Sequence, residues 1–353
     1  MRRPLHFILP VLAAAALVAA GCGSDSNSGS SGSNGGGSSS SKSTPAGKKI
    51  KVGLVTDIGG LNDRSFNQLA NQGLEQSEKD LGIQGRVLPS HANSDYIPNL
   101  SSLAQQHYDL VIGVGFLMAD SMATVAKKFP NTKFAIIDVD ATTLKHKPKN
   151  VEGLLFKEQE AGYLAGYMAG LYMKDKGGTT IGSVGGQKIP PVDHYIAGYQ
   201  AGAKAANPKI KTLNGYSQDF VAQDKCKEIA LNQIQQGAKV VFQVAGQCGL
   251  GVIDAAKEKG VQAIGVDADQ AYLGPQVMTS AEKHVDVAVF DTIKEAQGGS
   301  IKGGQNTLFD VQNNGVGFGK TNSVGAKYEA KVKAVEQKIA SGQISNIPDT
   351  VGK

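Results

Sequence analysis

From residue 49 onward, short apolar runs rich in β-branched residues alternate with stretches whose apolar residues recur at helical spacing. This alternation leaves few folds open. The runs at 52–56, 85–88, 110–114 and 133–137 read as strands, and 65–79, 97–107 and 118–129 read as helices. Parallel strands must be joined by crossovers, and crossover helices cover the sheet on both faces, so the pattern predicts a doubly wound parallel sheet. A strand at 151–156 follows, and then a second series begins. Strands are expected at 179–184, 210–216, 239–244 and 262–266, with helices at 192–206, 222–236 and 251–259. The expected architecture is therefore α/β with two Rossmann-like lobes. A strand at 276–281, a helix at 285–297, a hairpin-like segment at 307–318 and a final helix at 326–340 complete the lobes after the chain recrosses between them. The expected division is 49–153 with about 267–299 for lobe 1, and 154–266 with about 300–345 for lobe 2. Within the helix that starts lobe 2, Gly162, Gly166 and Gly170 form a smooth ridge. The segment is short and begins with Glu158 and Glu160, so the ridge is expected to pack against a sheet and not to form a membrane dimer face.

The N-terminus has a different character. Arg2 and Arg3 precede an apolar run at 7–20, and L-V-A-A-G-C ends at Cys22. That is the pattern of a secretory leader with a lipobox, residues 1–21, whose cysteine takes a diacylglycerol before cleavage. The run is shorter than the roughly 20 residues of a membrane-spanning helix. Residues 23–47 are almost all Ser, Gly and Asn, a composition that cannot bury apolar surface; with Cys22 they make a tether, 22–48, of roughly 25 to 30 Å typical reach. The expected location is the extracytoplasmic face of the cell membrane, held by lipid alone. Losing the leader removes two arginines and no acid from a chain with formal charge +5. The remaining excess is small and evenly spread, which argues against nucleic acid as a partner. Cys226 and Cys248 are the other cysteines. In an exported chain they invite a disulfide, since one falls in the first turn of a helix and the other just after the next strand, on one edge of the sheet; two buried thiols are the alternative.

The six histidines show no metal-ligand spacing, and H-E-x-x-H, paired C-x-x-C and G-x-S-x-G are absent from the sequence. N-G-V-G-F-G-K-T at 314–321 lacks the first glycine of a P-loop and lies at the wrong end of the chain. No metal, cofactor or catalytic residue is expected. What remains is a set of residues at the carboxyl ends of the predicted strands, where open α/β sheets bind ligands. The stretch K-V-G-L-V-T-D-I-G-G-L-N-D-R-S-F-N-Q at 51–68 supplies Asp57, Asp63, Ser65, Phe66 and Asn67. Asp120, Phe220, Gly246, Asp267 and Lys283 follow later strands. If the lobes face each other, all point toward one crevice.

The same residues carry a resemblance. L-V-T-D-I-G-G-L-N-D-R-S-F-N-Q, V-I-G-V-G-F-L-M-A-D, F-A-I-I-D, F-K-E-Q-E-A-G-Y-L-A-G, G-A-K-V-V-F-Q-V-A-G, G-V-D-A-D-Q and T-S-A-E-K, in this order over about 49–345, closely resemble the basic membrane lipoprotein family of substrate-binding proteins, which includes purine nucleoside receptors. The resemblance implies a type I periplasmic-binding-protein fold with three hinge crossovers, a monomer closing on a nucleoside, and delivery to an ABC importer whose permease and ATPase are separate chains. It implies that Phe66 and Phe220 stack on the base and that Asp120, with Asn67 beside it, accepts hydrogen bonds from a purine edge. Asp57, Asp267, Lys283 and the Gly246 backbone would hold the ribose hydroxyls. Q-D-F-V-A-Q-D-K-C departs from the family's pattern around Phe220, and the two cysteines are extra features that would rigidify one lobe near the cleft. The alternatives are a receptor for a sugar or other small polar ligand and, from another class, a nucleoside-processing enzyme built on a carboxylate pair such as Asp57 and Asp63.

Overall fold

Val52, Leu54, Val55, Leu110, Val111 and Ile112 are all buried to the last atom, so the first strands are covered on both faces, as uninterrupted apolar runs require. A computed structural model describes residues 48–352; the leader, Cys22 and nearly all of the tether lie outside the described residues. In chain order, β1 (Lys51–Val55), β2 (Gln84–Leu88), β3 (Leu110–Gly113), β4 (Lys133–Ile137) and β5 (Val151–Phe156) are followed by β6 (Thr180–Gly185), β7 (Lys211–Tyr216), β8 (Val240–Val244), β9 (Gln262–Asp267) and β10 (Val277–Lys283). Two short strands, β11 (Asn306–Phe309) and β12 (Val316–Phe318), come last. The helices are α1 (Phe66–Leu81), α2 (Tyr96–Gln105), α3 (Ala119–Lys128), α4 (Glu158–Asp175), α5 (Pro190–Ala206), α6 (Gln223–Gln235), α7 (Leu250–Lys259), α8 (Val285–Gln297) and α9 (Glu329–Ala340).

The strands form two six-stranded sheets, in the orders β11-β5-β4-β3-β1-β2 and β12-β10-β9-β8-β6-β7. All pairings are parallel except that of β12 with β10. In each sheet the winding direction reverses beside its first strand, between β1 and β3 and between β6 and β8. Loops leaving two adjacent strands there diverge and leave a crevice at the strands' carboxyl ends.

The chain crosses between sheets after β5, after β10 and between β11 and β12. This corrects the expected division of the lobes. Asp267 and β10 belong to the second sheet, where Val277 stands beside Ala263 of β9, whereas β11 pairs with β5 in the first. The expected hairpin at 307–318 does not form, because its two arms enter different sheets. The crossings are tied together: Lys157 donates its backbone N–H to Phe309 and its Nζ to Asp310 Oδ2, each at 2.9 Å, and the His284 N–H reaches the Gly315 carbonyl at 2.9 Å. Phe156 and Phe309 stack alongside, with ring centroids 4.9 Å apart.

The glycine ridge of α4 meets a helix, not a sheet. A Cβ on Gly166 would lie 2.0 Å from the Tyr199 carbonyl oxygen on α5, and one on Gly202 of α5 would lie 2.0 Å from the Tyr163 carbonyl oxygen on α4. Small residues on both partners bring the two backbones into contact. Cys226, in the first turn of α6, is bonded to Cys248 with their Cα atoms 5.6 Å apart. Among the described residues no helix is long and apolar enough to cross a membrane, and no group of three or more His, Cys, Asp or Glu is placed to hold a metal ion.

Candidate ligand-binding cleft

The loop after β1 is shaped by two side chains that satisfy its backbone. Asp63 accepts the N–H groups of Ser65, Asn67 and Gln68 at 3.0, 2.7 and 3.1 Å, so it caps α1 from three residues before the helix start. Asn67 donates Nδ2 to Asp63 Oδ2 at 3.0 Å and accepts the Asp57 N–H on Oδ1 at 2.8 Å. These bonds fold the loop back over the end of β1 and aim Asp57 and Phe66 at the space between the lobes. Asp57 Oδ1 accepts from the Tyr96 hydroxyl and, at 2.6 Å, from the Ile58 N–H. Burial pushes the Asp57 carboxyl up to about 6, against the pull of the Tyr96 hydrogen bond. Gly115, after β3, has φ +107° and sits where a Cβ would come within 2.7 Å of Asp57 Oδ2 and 3.3 Å of the Phe66 ring. Only glycine fits there, and its presence leaves Asp57 and Phe66 side by side.

The floor of the cleft is a buried charge cluster. Lys283, at the end of β10, donates Nζ to Asp138 Oδ1 at 2.5 Å and to Glu158 Oε1 at 2.8 Å. Its ammonium also lies 5.0 Å from the Phe66 ring centroid and 4.7 Å from that of Phe156. Burial opposes the charge on Lys283, but Asp138, Glu158 and Asp267 outweigh it and raise its pKa above the ordinary lysine value. Glu158 Oε2 meets His194 Nδ1 at 2.9 Å. Burial disfavours the Glu158 anion too, yet Lys283 and His194 hold its carboxyl below the usual value. Asp138 is raised by burial despite Lys283. Asp267 accepts the Ser65 hydroxyl on Oδ2 at 2.5 Å and the Tyr195 hydroxyl on Oδ1 at 3.0 Å; burial raises it as well.

The opposite wall comes from the second switch point. Phe220 lies where a Cβ on Gly186, just after β6, would strike its ring at 2.3 Å, and Gly246, with φ +55°, passes beside it after β8. The Cys248 N–H donates to the Phe220 carbonyl at 3.0 Å, so the disulfide holds the segment that positions this ring. Ile189, Pro191 and Val192, where α5 begins, add an apolar shelf. Together the walls line one narrow cleft between the lobes, with about 70 Å³ of space open to a water-sized group.

Asp57, Phe66, Asn67, Phe220, Gly246, Asp267 and Lys283 all line this cleft. Asp120 does not, which corrects the expectation for it. After Gly115 the chain makes a tight turn over Phe116–Met118 before α3 starts, and the first turn of α3 carries Asp120 outward. Its side chain is 77% exposed and pairs with Lys145 at 3.0 Å. Asp138 and Tyr195, which line the cleft, and Glu158, which holds Lys283 from behind it, are not among the residues expected from the sequence. Asp138 ends its strand run, F-A-I-I-D, as Asp267 ends G-V-D, and the two share left-handed backbones with φ of +67° and +59°. That repeated strand-end aspartate was a usable signal.

Residues 50–350 match the Bmp family, described as "ABC transporter substrate-binding protein PnrA-like". An uncharacterized lipoprotein of Pyrococcus horikoshii is 39% identical over 284 residues, which are 77% of this chain and 69% of that one. The ABC transporter nucleoside-binding protein BmpA of Lactococcus lactis is 34% identical over 318 residues, covering 84% and 87%. Among solved structures, an ABC transporter solute-binding protein from Aeropyrum pernix superposes with a TM-score of 0.76 at 27% identity, covering 85% of this chain and 94% of that one.

Proposed function

This chain belongs to the Bmp family of PnrA-like ABC transporter substrate-binding proteins, and from that premise we propose that its cleft binds a nucleoside, a purine nucleoside above all, for delivery to a separate permease and ATPase. Its type I periplasmic-binding-protein fold and its family are those of a solute receptor and not of an enzyme. The observation that carries the ligand assignment is the pairing of Phe66 and Phe220, one from each lobe, in a cleft whose polar lining includes the carboxylates of Asp57, Asp63, Asp138 and Asp267. Two flat apolar faces suit a base. Asp57, beside Phe66, is placed to accept a base N–H, the part first expected of Asp120, and Asp138, Asp267 and Lys283 suit ribose hydroxyls. Among the lining residues Asp57, Asp63, Asp138 and Asp267 outnumber Lys283, so a phosphate would enter against like charge; the ligand is a nucleoside and not a nucleotide. The leader and Cys22 supply a lipid anchor on the extracytoplasmic face, a reading supported by relatives named as lipoproteins.

Phe66→Leu and Phe220→Leu keep apolar bulk and remove the rings. Each is expected to weaken inosine binding about tenfold, the loss expected for one stacking face, with little change in melting temperature. Unchanged affinity in both variants would remove the stacking role, and inosine 5′-monophosphate binding as tightly as inosine would remove the charge argument.

A further inference from the structure

Ser65 occupies the N-cap position of α1, where a serine normally bonds the helix's free N–H groups, yet its hydroxyl makes no such bond. Asp63 does the capping instead. The freed hydroxyl crosses to the other lobe and donates to Asp267 Oδ2 at 2.5 Å. One residue earlier, Arg64 has a left-handed backbone, φ +58°, and its carbonyl accepts Gln270 Nε2 of the second lobe at 3.0 Å. Gln270 is wholly buried, and its Oε1 accepts Gln243 Nε2 at 2.8 Å and the Val266 N–H at 3.2 Å. Gln243 Oε1 in turn accepts the Ala245 N–H at 3.2 Å, in the segment leading to Gly246.

We propose that Ser65 and Gln270 are positioning residues that latch the two lobes together: they join α1's entry directly to the far wall of the cleft and set how far the lobes close, without belonging to the cleft lining themselves. The chemistry is economical in donors and acceptors. Two neighbouring residues give up ordinary local geometry, a cap bond at Ser65 and a right-handed backbone at Arg64, and each thereby gains a partner in the other lobe. Gln270 cannot turn to solvent, so its amide has the Arg64 carbonyl as its interlobe acceptor. The Gln243–Gln270 pair carries that contact to Ala245, and Asp267 carries the Ser65 contact to the cleft floor. Closure is thereby favoured by the protein's own groups as well as by ligand, which raises affinity by lowering the cost of the closed state. This inference rests on the two-lobe receptor reading but not on the identity of the ligand.

The test uses the full chain with Cys22→Ser, carrying spin labels at Lys128→Cys on α3 and Lys257→Cys on α7, both exposed and in different lobes. Interlobe distances are measured without ligand and with inosine. Ser65→Ala and Gln270→Met are expected to shift the ligand-free distance distribution from that of the parent, and to raise the inosine dissociation rate about fivefold with little change in association rate. Parental distributions in both variants overturn the latch. If inosine binds neither parent nor variants, the nucleoside assignment fails while the ligand-free distances still decide the latch.

Discussion

Strands that end on an aspartate build this site: Asp57 just after β1, Asp138 just after β4 and Asp267 at the end of β9. Each sits at a carboxyl edge facing the cleft, and each is raised by burial. Asp120 carries the same side chain two residues past the tight turn at Phe116–Met118, and that turn places it in solvent. A motif records which residue is present, not how an intervening turn rotates it, and this is why the sequence pointed to Asp120 and passed over Asp138. Asp120→Ala is expected to leave inosine affinity within about twofold and stability within about 0.5 kcal/mol, because its ion pair is exposed. Asp138→Asn removes a charged partner from buried Lys283 and is expected to lower both the denaturation midpoint and the affinity. Asp57 yields a pH prediction. With a folded-state value of about 6 against an ordinary 3.8, its carboxyl favours folding below about pH 4, and that contribution is lost as pH rises through 6. Asp57→Asn stays neutral throughout. Its stability relative to the parent, measured by urea denaturation, should therefore increase between pH 4 and pH 7, by at most ~3 kcal/mol; a difference independent of pH would contradict the burial of this charge.

Most elements were legible because their periodicity is strong, and β4, β5 and α8 fall within a residue or so of the pattern. Membership of β10 and β11 was not legible. Both sheets accept parallel strands of the same composition, and the connectors at His284 and 310–315 carry no mark of which lobe comes next. Pairing along β9 and β5 decides it, and that is a long-range property. The α4 glycines form a packing ridge, but the expected sheet is not its partner: a second helix is, whose own glycines, Gly198 and Gly202, answer them. Gly166→Ala would place a methyl against the Tyr199 carbonyl and force two backbones apart, so a loss of roughly 2 kcal/mol or more is expected in denaturant unfolding. A loss below about 0.5 kcal/mol would show that the helices can separate freely.

At the scale of the molecule, two sheets of matching order set their switch points face to face, and the cleft is the space between them. Periodicity predicts the two doubly wound sheets; that they face each other is what the family resemblance implies. The hinge is less visible in sequence. Lys283 links Asp138 of the first lobe to Glu158 at the first crossing, and the stacked pair of Phe156 and Phe309 joins that crossing to β11; these contacts span residues more than a hundred positions apart. The account as a whole stands on what enters the cleft. Calorimetric titration of the full chain with inosine, and separately with ribose, measures that directly. One-site binding of inosine, with ribose bound at least a hundredfold more weakly for want of a base, about 2.7 kcal/mol, is the predicted result; no heat with inosine, guanosine or adenosine, or ribose bound as tightly as inosine, would contradict it.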